Sequence, residues 1–216
     1  MPVTIEANPH KGQLQVHNNG ARYKVLAAGR RWGKTRLGVL TAMETAAAGQ
    51  RAWWVAPSYR MGVVGWRPIS RIGAGIPGAS VKHSDRMVTL PSGGTVQVRS
   101  ADEPDSLRGE GLDLCILDEA SYMQERAWQE AIRPALSDRS GKALMLSTPR
   151  GKNWFWRLHQ RGQEGNPEWQ AFSFPTSDNP HIPAGEIEAA RSDMPELIFA
   201  QEYEARFIED GGGVFR

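Results

Sequence analysis

Residues 1–20 show no sustained apolar period. They are polar and turn-rich, with Asn8-Pro9-His10-Lys11-Gly12 followed by His17-Asn18-Asn19-Gly20. The pattern then sharpens. Tyr23-Lys24-Val25-Leu26-Ala27-Ala28 predicts a short strand that ends in Gly29-Arg30-Arg31-Trp32-Gly33. From residue 34 to 48 the apolar spacing becomes helical, with Leu37, Leu40, Met43 and Ala47 on one face and Gly49 as the stop. A second strand, residues 51–56, halts at Pro57. Residues 87–90 and 95–99 alternate in polarity around Pro91-Ser92-Gly93-Gly94 and predict a hairpin.

Two later runs are almost continuously apolar: Leu114-Cys115-Ile116-Leu117 and Ala143-Leu144-Met145-Leu146. They end abruptly in Asp118-Glu119 and Ser147-Thr148-Pro149, and a helical stretch over 128–136 lies between them. Apolar strands alternating with helices predict an α/β fold, a mainly parallel sheet covered on both faces. Ligands in such sheets sit beyond the carboxyl ends of the strands, where these polar residues collect. Residues 169–174 predict a last strand. Pro175, Pro180 and Pro183 then mark a boundary between a core, residues 1–175, and a small helical subdomain, residues 176–216. Its helices are expected over 184–192 and from Pro195 to about Ile208, before Gly211-Gly212-Gly213-Val214-Phe215-Arg216.

The composition is that of an ordinary globular protein, 216 residues with 40% hydrophobic and 23% charged, which excludes a fibrous or wholly disordered chain. No run of 18 apolar residues and no leader-like N-terminus is present, so the expectation is a soluble, intracellular protein. The single cysteine, Cys115, excludes an internal disulfide and a Cys-cluster zinc site. The net charge is +2, but the 26 cations divide as 20 Arg and 6 Lys. Arginine's planar fork suits phosphate, although a GC-rich coding bias accounts for the skew equally well.

Gly33-Lys34-Thr35 is the strongest local signal. A loop of small residues lets backbone N–H groups surround phosphate oxygens. Lys34 supplies charge to the terminal phosphates, and Thr35 offers a hydroxyl to Mg²⁺. Gly-Lys also occurs at residues 141 and 151, but only the first pair is followed by Thr and placed between strand and helix. The full G-x-x-x-x-G-K-[ST] pattern wants glycine at residue 28, which is Ala, with Gly29 one residue later. Asp118, at the end of a buried strand, suits Mg²⁺, and Glu119 suits the orientation of an attacking water. Either acid alone also suits the start of a following helix. Ser147 and Thr148 are placed to sense the γ-phosphate, or simply to terminate a strand before Pro149.

Taken in order, these motifs resemble the ATPase domain of the large terminase subunit, the DNA-packaging motor of tailed bacteriophages. Gly29 to Thr35 is similar to that family's deviant Walker A loop, which tolerates loss of the first glycine and carries an early arginine. Trp54-Val55-Ala56-Pro57-Ser58-Tyr59 resembles its second-strand motif. Residues 99–109 resemble the lead into its Walker B, residues 115–120 the Walker B with catalytic glutamate, and residues 146–151 the coupling motif.

The resemblance implies a P-loop NTPase of the additional-strand, catalytic-glutamate type with a helical lid. It implies nucleotide contacts from Gly29, Arg30, Arg31, Trp32, Gly33, Lys34 and Thr35, a γ-phosphate contact or sensing role for Arg30 with a structural ion pair as the alternative, and Gln13 as adenine reader, with nearby Gln15 or a plain surface glutamine as the alternatives. It also implies ATP and Mg²⁺ as ligands, with Thr35 and Asp118 toward the metal and Ser147 and Thr148 as coupling residues. Arg139, in a loop entering the Ser147 strand, is a candidate trans-acting arginine finger or a solvated loop residue. The implied partners are double-stranded DNA, the portal and prohead, the small terminase subunit and further copies in a ring, a pentamer, in the infected host's cytoplasm. No membrane is implied, and no nuclease activity is expected. Eight tryptophans invite base stacking, but core packing accounts for them better. A helicase and a non-hydrolysing nucleotide switch are the rival functions. Helicases of the two-core type need a second ATPase core, and Glu119 argues against a non-hydrolysing switch.

Overall fold

The computed structural model describes residues 8–209, which build one sheet with helices on both faces. Its strands are β1 (Tyr23–Ala28), β2 (Arg51–Ala56), β3 (Ser80–Lys82), β4 (Met87–Thr89), β5 (Thr95–Ser100), β6 (Leu114–Asp118), β7 (Lys142–Ser147) and β8 (Trp169–Phe174). They lie in the order β3-β4-β5-β2-β6-β7-β1-β8. From β5 to β8 every neighbouring pair is parallel, whereas β3, β4 and β5 form an antiparallel edge. Side chains of successive strand residues point to opposite faces, so each central strand feeds two cores. Trp53, Cys115 and Met145 enter one; Trp54, Ile116 and Leu144 enter the other.

The helices are α1 (Lys11–Asn18), α2 (Lys34–Ala47), α3 (Tyr59–Ala74), α4 (Arg133–Ala135), α5 (Trp154–Arg161), α6 (Ala184–Asp193) and α7 (Glu196–Glu202). Helices α2 and α3 cover one face through Leu37, Met43 and Ile69, while Trp128, Ile132 and Phe155 cover the other. None of the described helices is long and apolar enough to cross a membrane.

The strands anticipated from periodicity are present at nearly the expected bounds. Helix α1 departs from the turn-rich expectation. It buries only Gln13 and Val16, too little for an apolar period, and is held by tertiary contacts. Lys24 Nζ donates to the Val16 and His17 carbonyls at 2.8 and 3.0 Å, capping its C-terminus. The stretch expected as a helix over 128–136 is π-helical at Ala127–Ile132 and then continues as α4. The last helix stops at Glu202 rather than near Ile208, and Ala205 then takes a left-handed φ of 56°. The glycine-rich ending, residues 210–216, lies outside the described residues.

Candidate nucleotide-binding site

The loop joining β1 to α2, the carboxyl ends of β6 and β7, and the C-terminus of α7 enclose a cleft of about 790 Å³. Gly33 sits at φ 105°, in the left-handed region that glycine enters without a Cβ penalty, and there it turns the chain into α2. Lys34 is buried at the first turn of that helix. Its ammonium donates to the carbonyls of Ala28 and Gly29 at 2.7 and 3.0 Å and to Thr148 Oγ1 at 3.1 Å. Burial pulls its pKa below the usual lysine range, opposed by the nearby Glu119 and Asp118 charges.

Asp118 ends β6 inside the cleft and is also buried. Desolvation, reinforced by the Glu119 charge and opposed by Lys34, pushes its carboxyl up to about 7. Glu119 follows with φ 53°, a left-handed conformation uncommon for this residue type, which turns the chain out of the strand at the cleft wall. Ser147 Oγ donates to Glu119 Oε2 at 3.3 Å. The structure thus brings Lys34, Thr35, Asp118, Glu119 and Thr148 to one cleft, with Ser147 buried behind Glu119.

Other expected site residues are placed differently. Trp32 is fully buried, stacked on Phe174 with ring centroids 5.0 Å apart and edge-on to His10 at 4.8 Å, so its indole is a core anchor. Gln13 is buried behind the loop. Its Nε2 donates to the Gly33 carbonyl at 2.9 Å and its Oε1 accepts from the His10 N–H at 3.0 Å. Both ends of the amide are engaged in bracing the loop. Gly29 is required by packing: a Cβ there would lie 2.4 Å from Thr176 Oγ1 and 2.5 Å from the Tyr203 carbonyl.

Arg30 and Arg31 line the cleft, and Arg31 also has a left-handed φ of 59°. Arg30 Nε donates to the Glu202 carboxylate, and Thr176 Oγ1 and Asn179 Nδ2 donate to the Arg30 and Arg31 carbonyls at 2.7 and 2.6 Å. Arg139 is remote from its own chain's cleft. It lies 3.6 Å from Asp113, which precedes β6, whereas Asp118 ends that strand.

Glu202, Thr176, Asn179 and Tyr122 are not signalled by the sequence. The first three lie more than a hundred residues from the loop they touch, and no local pattern marks them.

A strand–loop–helix cradle with a buried lysine, facing an Asp-Glu pair two strands away in the sheet, defines a P-loop nucleotide-binding domain. Residues 25–216 match the family described as "Terminase large subunit, T4likevirus-type, N-terminal", and the chain belongs to that family. The large terminase subunit of Thermus virus P23-45 is 32% identical over 96% of this chain and 50% of its own length. The large terminase ATPase domain of Thermus phage P74-26 superposes with a TM-score of 0.80 at 30% identity, covering 93% of this chain and 94% of that one. The large terminase of bacteriophage D6E in complex with ATP-gamma-S shares the fold with a TM-score of 0.73 at 15% identity, over 92% and 53% of the two chains. The chain spans about half the length of the curated relatives it matches.

Proposed function

We propose that this domain hydrolyses ATP and that the cycle drives double-stranded DNA into a prohead. The observation that carries the reading is the convergence of Lys34, Thr35, Asp118 and Glu119 on one cleft. Lys34 offers its ammonium to the terminal phosphates by leaving the Ala28 and Gly29 carbonyls, and Arg30 stands at the cleft wall to add a second charge. Glu119 orients a water for in-line attack on the γ-phosphorus and takes up its proton, while ADP departs from the opposite side. Ser147 and Thr148 link that carboxylate and Lys34 to the end of β7, a route by which phosphate loss reaches the sheet.

Mg²⁺ fits the site: Asp118 and Thr35 are hard oxygen donors, and a buried carboxyl raised to about 7 is one that a cation would ionise. Bound there with ATP, the ion would neutralise charge developing on the phosphate oxygens.

We further assign residues from 176 onward to a lid over the cleft, supported by the contacts of Thr176, Asn179 and Glu202 with the loop. We also propose assembly as a ring, a pentamer, on the portal, with the small terminase subunit supplying DNA in the host cytoplasm, a reading supported by membership of the family.

The test is steady-state ATP turnover by this chain with and without linear duplex DNA. Turnover that needs Glu119 and rises with duplex supports the reading. A wild-type rate equal to that of Glu119→Gln under both conditions favours a non-hydrolysing switch.

A further inference from the structure

Charge is unevenly distributed along the chain. Residues 45–84 contain Arg51, Arg60, Arg67, Arg71 and Lys82 and no Asp or Glu, so the rest of the molecule carries a net charge of −3 against +2 for the whole. Arg51 is paired with Glu110 at 3.6 Å. Among the described residues the other four form no ion pair. Arginines elsewhere are laced with acids: Arg108 with Asp105 and Glu130, Arg191 with Glu188 and Glu204.

Three of the unpaired cations lie on α3. Arg60, Val64, Arg67 and Arg71 recur at helical spacing, share one face and are all exposed. The opposite face is fixed. A Cβ on Gly65 would lie 2.2 Å from the Trp54 ring and one on Gly73 2.6 Å from Val88 Cγ1, so the glycines seat the helix backbone directly on the sheet. The guanidinium stripe therefore stands on a rigid support about 16 Å long at 1.5 Å per residue. Each strand of a duplex places one phosphate per about 3.4 Å of its axis, so this span faces several phosphates. Within the stripe, between Arg60 and Arg67, Val64 lines the nucleotide cleft, together with Met61 and Arg36.

We propose that the outward face of α3 grips the phosphate backbone of duplex DNA, with Arg60, Arg67 and Arg71 as the contacts. The assignment rests on the DNA-translocating function above and deepens it. Arginine forks on phosphates position a duplex without reading its bases, as a motor that moves along any sequence requires.

The experiment is fluorescence anisotropy of a labelled 30-base-pair duplex with this chain, titrated from low to physiological salt. The Arg60→Ala/Arg67→Ala/Arg71→Ala protein should bind at least tenfold more weakly at low salt, and its log K against log salt slope should shrink by about 2 to 3, each neutralised phosphate contributing about 0.9. The corresponding triple Lys protein should keep most of the slope. Arg191→Ala/Arg206→Ala should bind as wild type. ATP turnover without DNA and the melting temperature should be unchanged in the two triple proteins. A triple Ala protein with wild-type affinity and slope overturns the surface assignment, as does a wild-type chain that binds no duplex at low salt. Absence of Glu119-dependent turnover in wild type would instead strike the ATPase reading itself.

Discussion

The Ser147 hydroxyl joins the end of β7 to Glu119, donating to its carboxylate at 3.3 Å. Ser147 Oγ also accepts from the Ser121 N–H at 3.2 Å, and the two hydroxyl oxygens lie 2.6 Å apart, with Ser121 Oγ also 2.9 Å from the Thr148 carbonyl oxygen. With Ser121 as the donor in the contact between the two hydroxyls, the one hydroxyl proton of Ser147 is directed to the carboxylate proposed to orient water.

Ser147→Ala should accordingly lower kcat while leaving the KM for ATP little changed. A hydrogen bond to a charged group contributes about 1.5–3 kcal/mol, so roughly a tenfold loss or more is expected. Steady-state kinetics of the two proteins decide it. A KM effect at unchanged kcat would remove Ser147 from the positioning of Glu119.

Asp118 predicts an opposing pH dependence of stability and binding. Its carboxyl is raised from 3.8 to about 7 in the ligand-free fold, so between those values the folded state holds a proton that the unfolded chain releases. Its contribution to stability is full below about pH 4 and declines as pH rises through about 7. Asp118→Asn should remove this slope and melt higher than wild type at pH 8. Affinity for ATP with Mg²⁺ should do the reverse in wild type, weakening as pH falls below about 7, because the metal needs the carboxylate. Melting curves and nucleotide titrations from pH 5 to 8 check both signs.

Gly29→Ala should destabilise by about 1–3 kcal/mol, the range for overpacking a filled site. The new methyl would meet Thr176 Oγ1 and the Tyr203 carbonyl. Strain at that point is expected to loosen residues after Phe174 first, seen as faster proteolysis there before the rest of the chain unfolds. Wild-type melting and cleavage in the Gly29→Ala protein would show that these contacts do not hold the segment.

Much of the sheet is legible in the sequence because its strands bury both faces and read as continuous apolar runs, as at residues 114–117 and 143–146. Helix α3 is not, since Gly62, Gly65, Pro68 and Gly73 look like breakers. In the structure those glycines are what let the helix lie against Trp54 and Val88. At the site, Lys34, Thr35, Asp118 and Glu119 can be found by motif, because one strand–loop–helix unit and one strand end fix their positions. The burial of the Trp32 and Gln13 side chains is not legible for the same reason that Glu202 goes unmarked. Whether a side chain faces the cleft or the core depends on partners far away in sequence: Phe174 for Trp32, and Gly33, twenty positions on, for Gln13.

Arg139 reaches a catalytic cleft only if a neighbouring copy presents one, since its pairing with Asp113 places it at the opposite end of β6 from Asp118. As a trans-acting finger it predicts that Arg139→Ala and Glu119→Ala proteins, each impaired in assembled form, recover turnover when mixed. Full activity of Arg139→Ala together with no recovery on mixing would leave it a surface arginine.

The cleft is expected to close on ATP through Lys34, Thr35, Asp118 and Glu119, and on this everything else depends. A crystal structure with Mg²⁺ and a non-hydrolysable ATP analogue tests it most directly. Lys34 Nζ should be released from the Ala28 and Gly29 carbonyls onto the terminal phosphates, with the ion between Thr35 and Asp118 and Glu119 facing the γ-phosphate. An analogue bound elsewhere, or a lysine still held by those two carbonyls beneath it, would contradict this assignment.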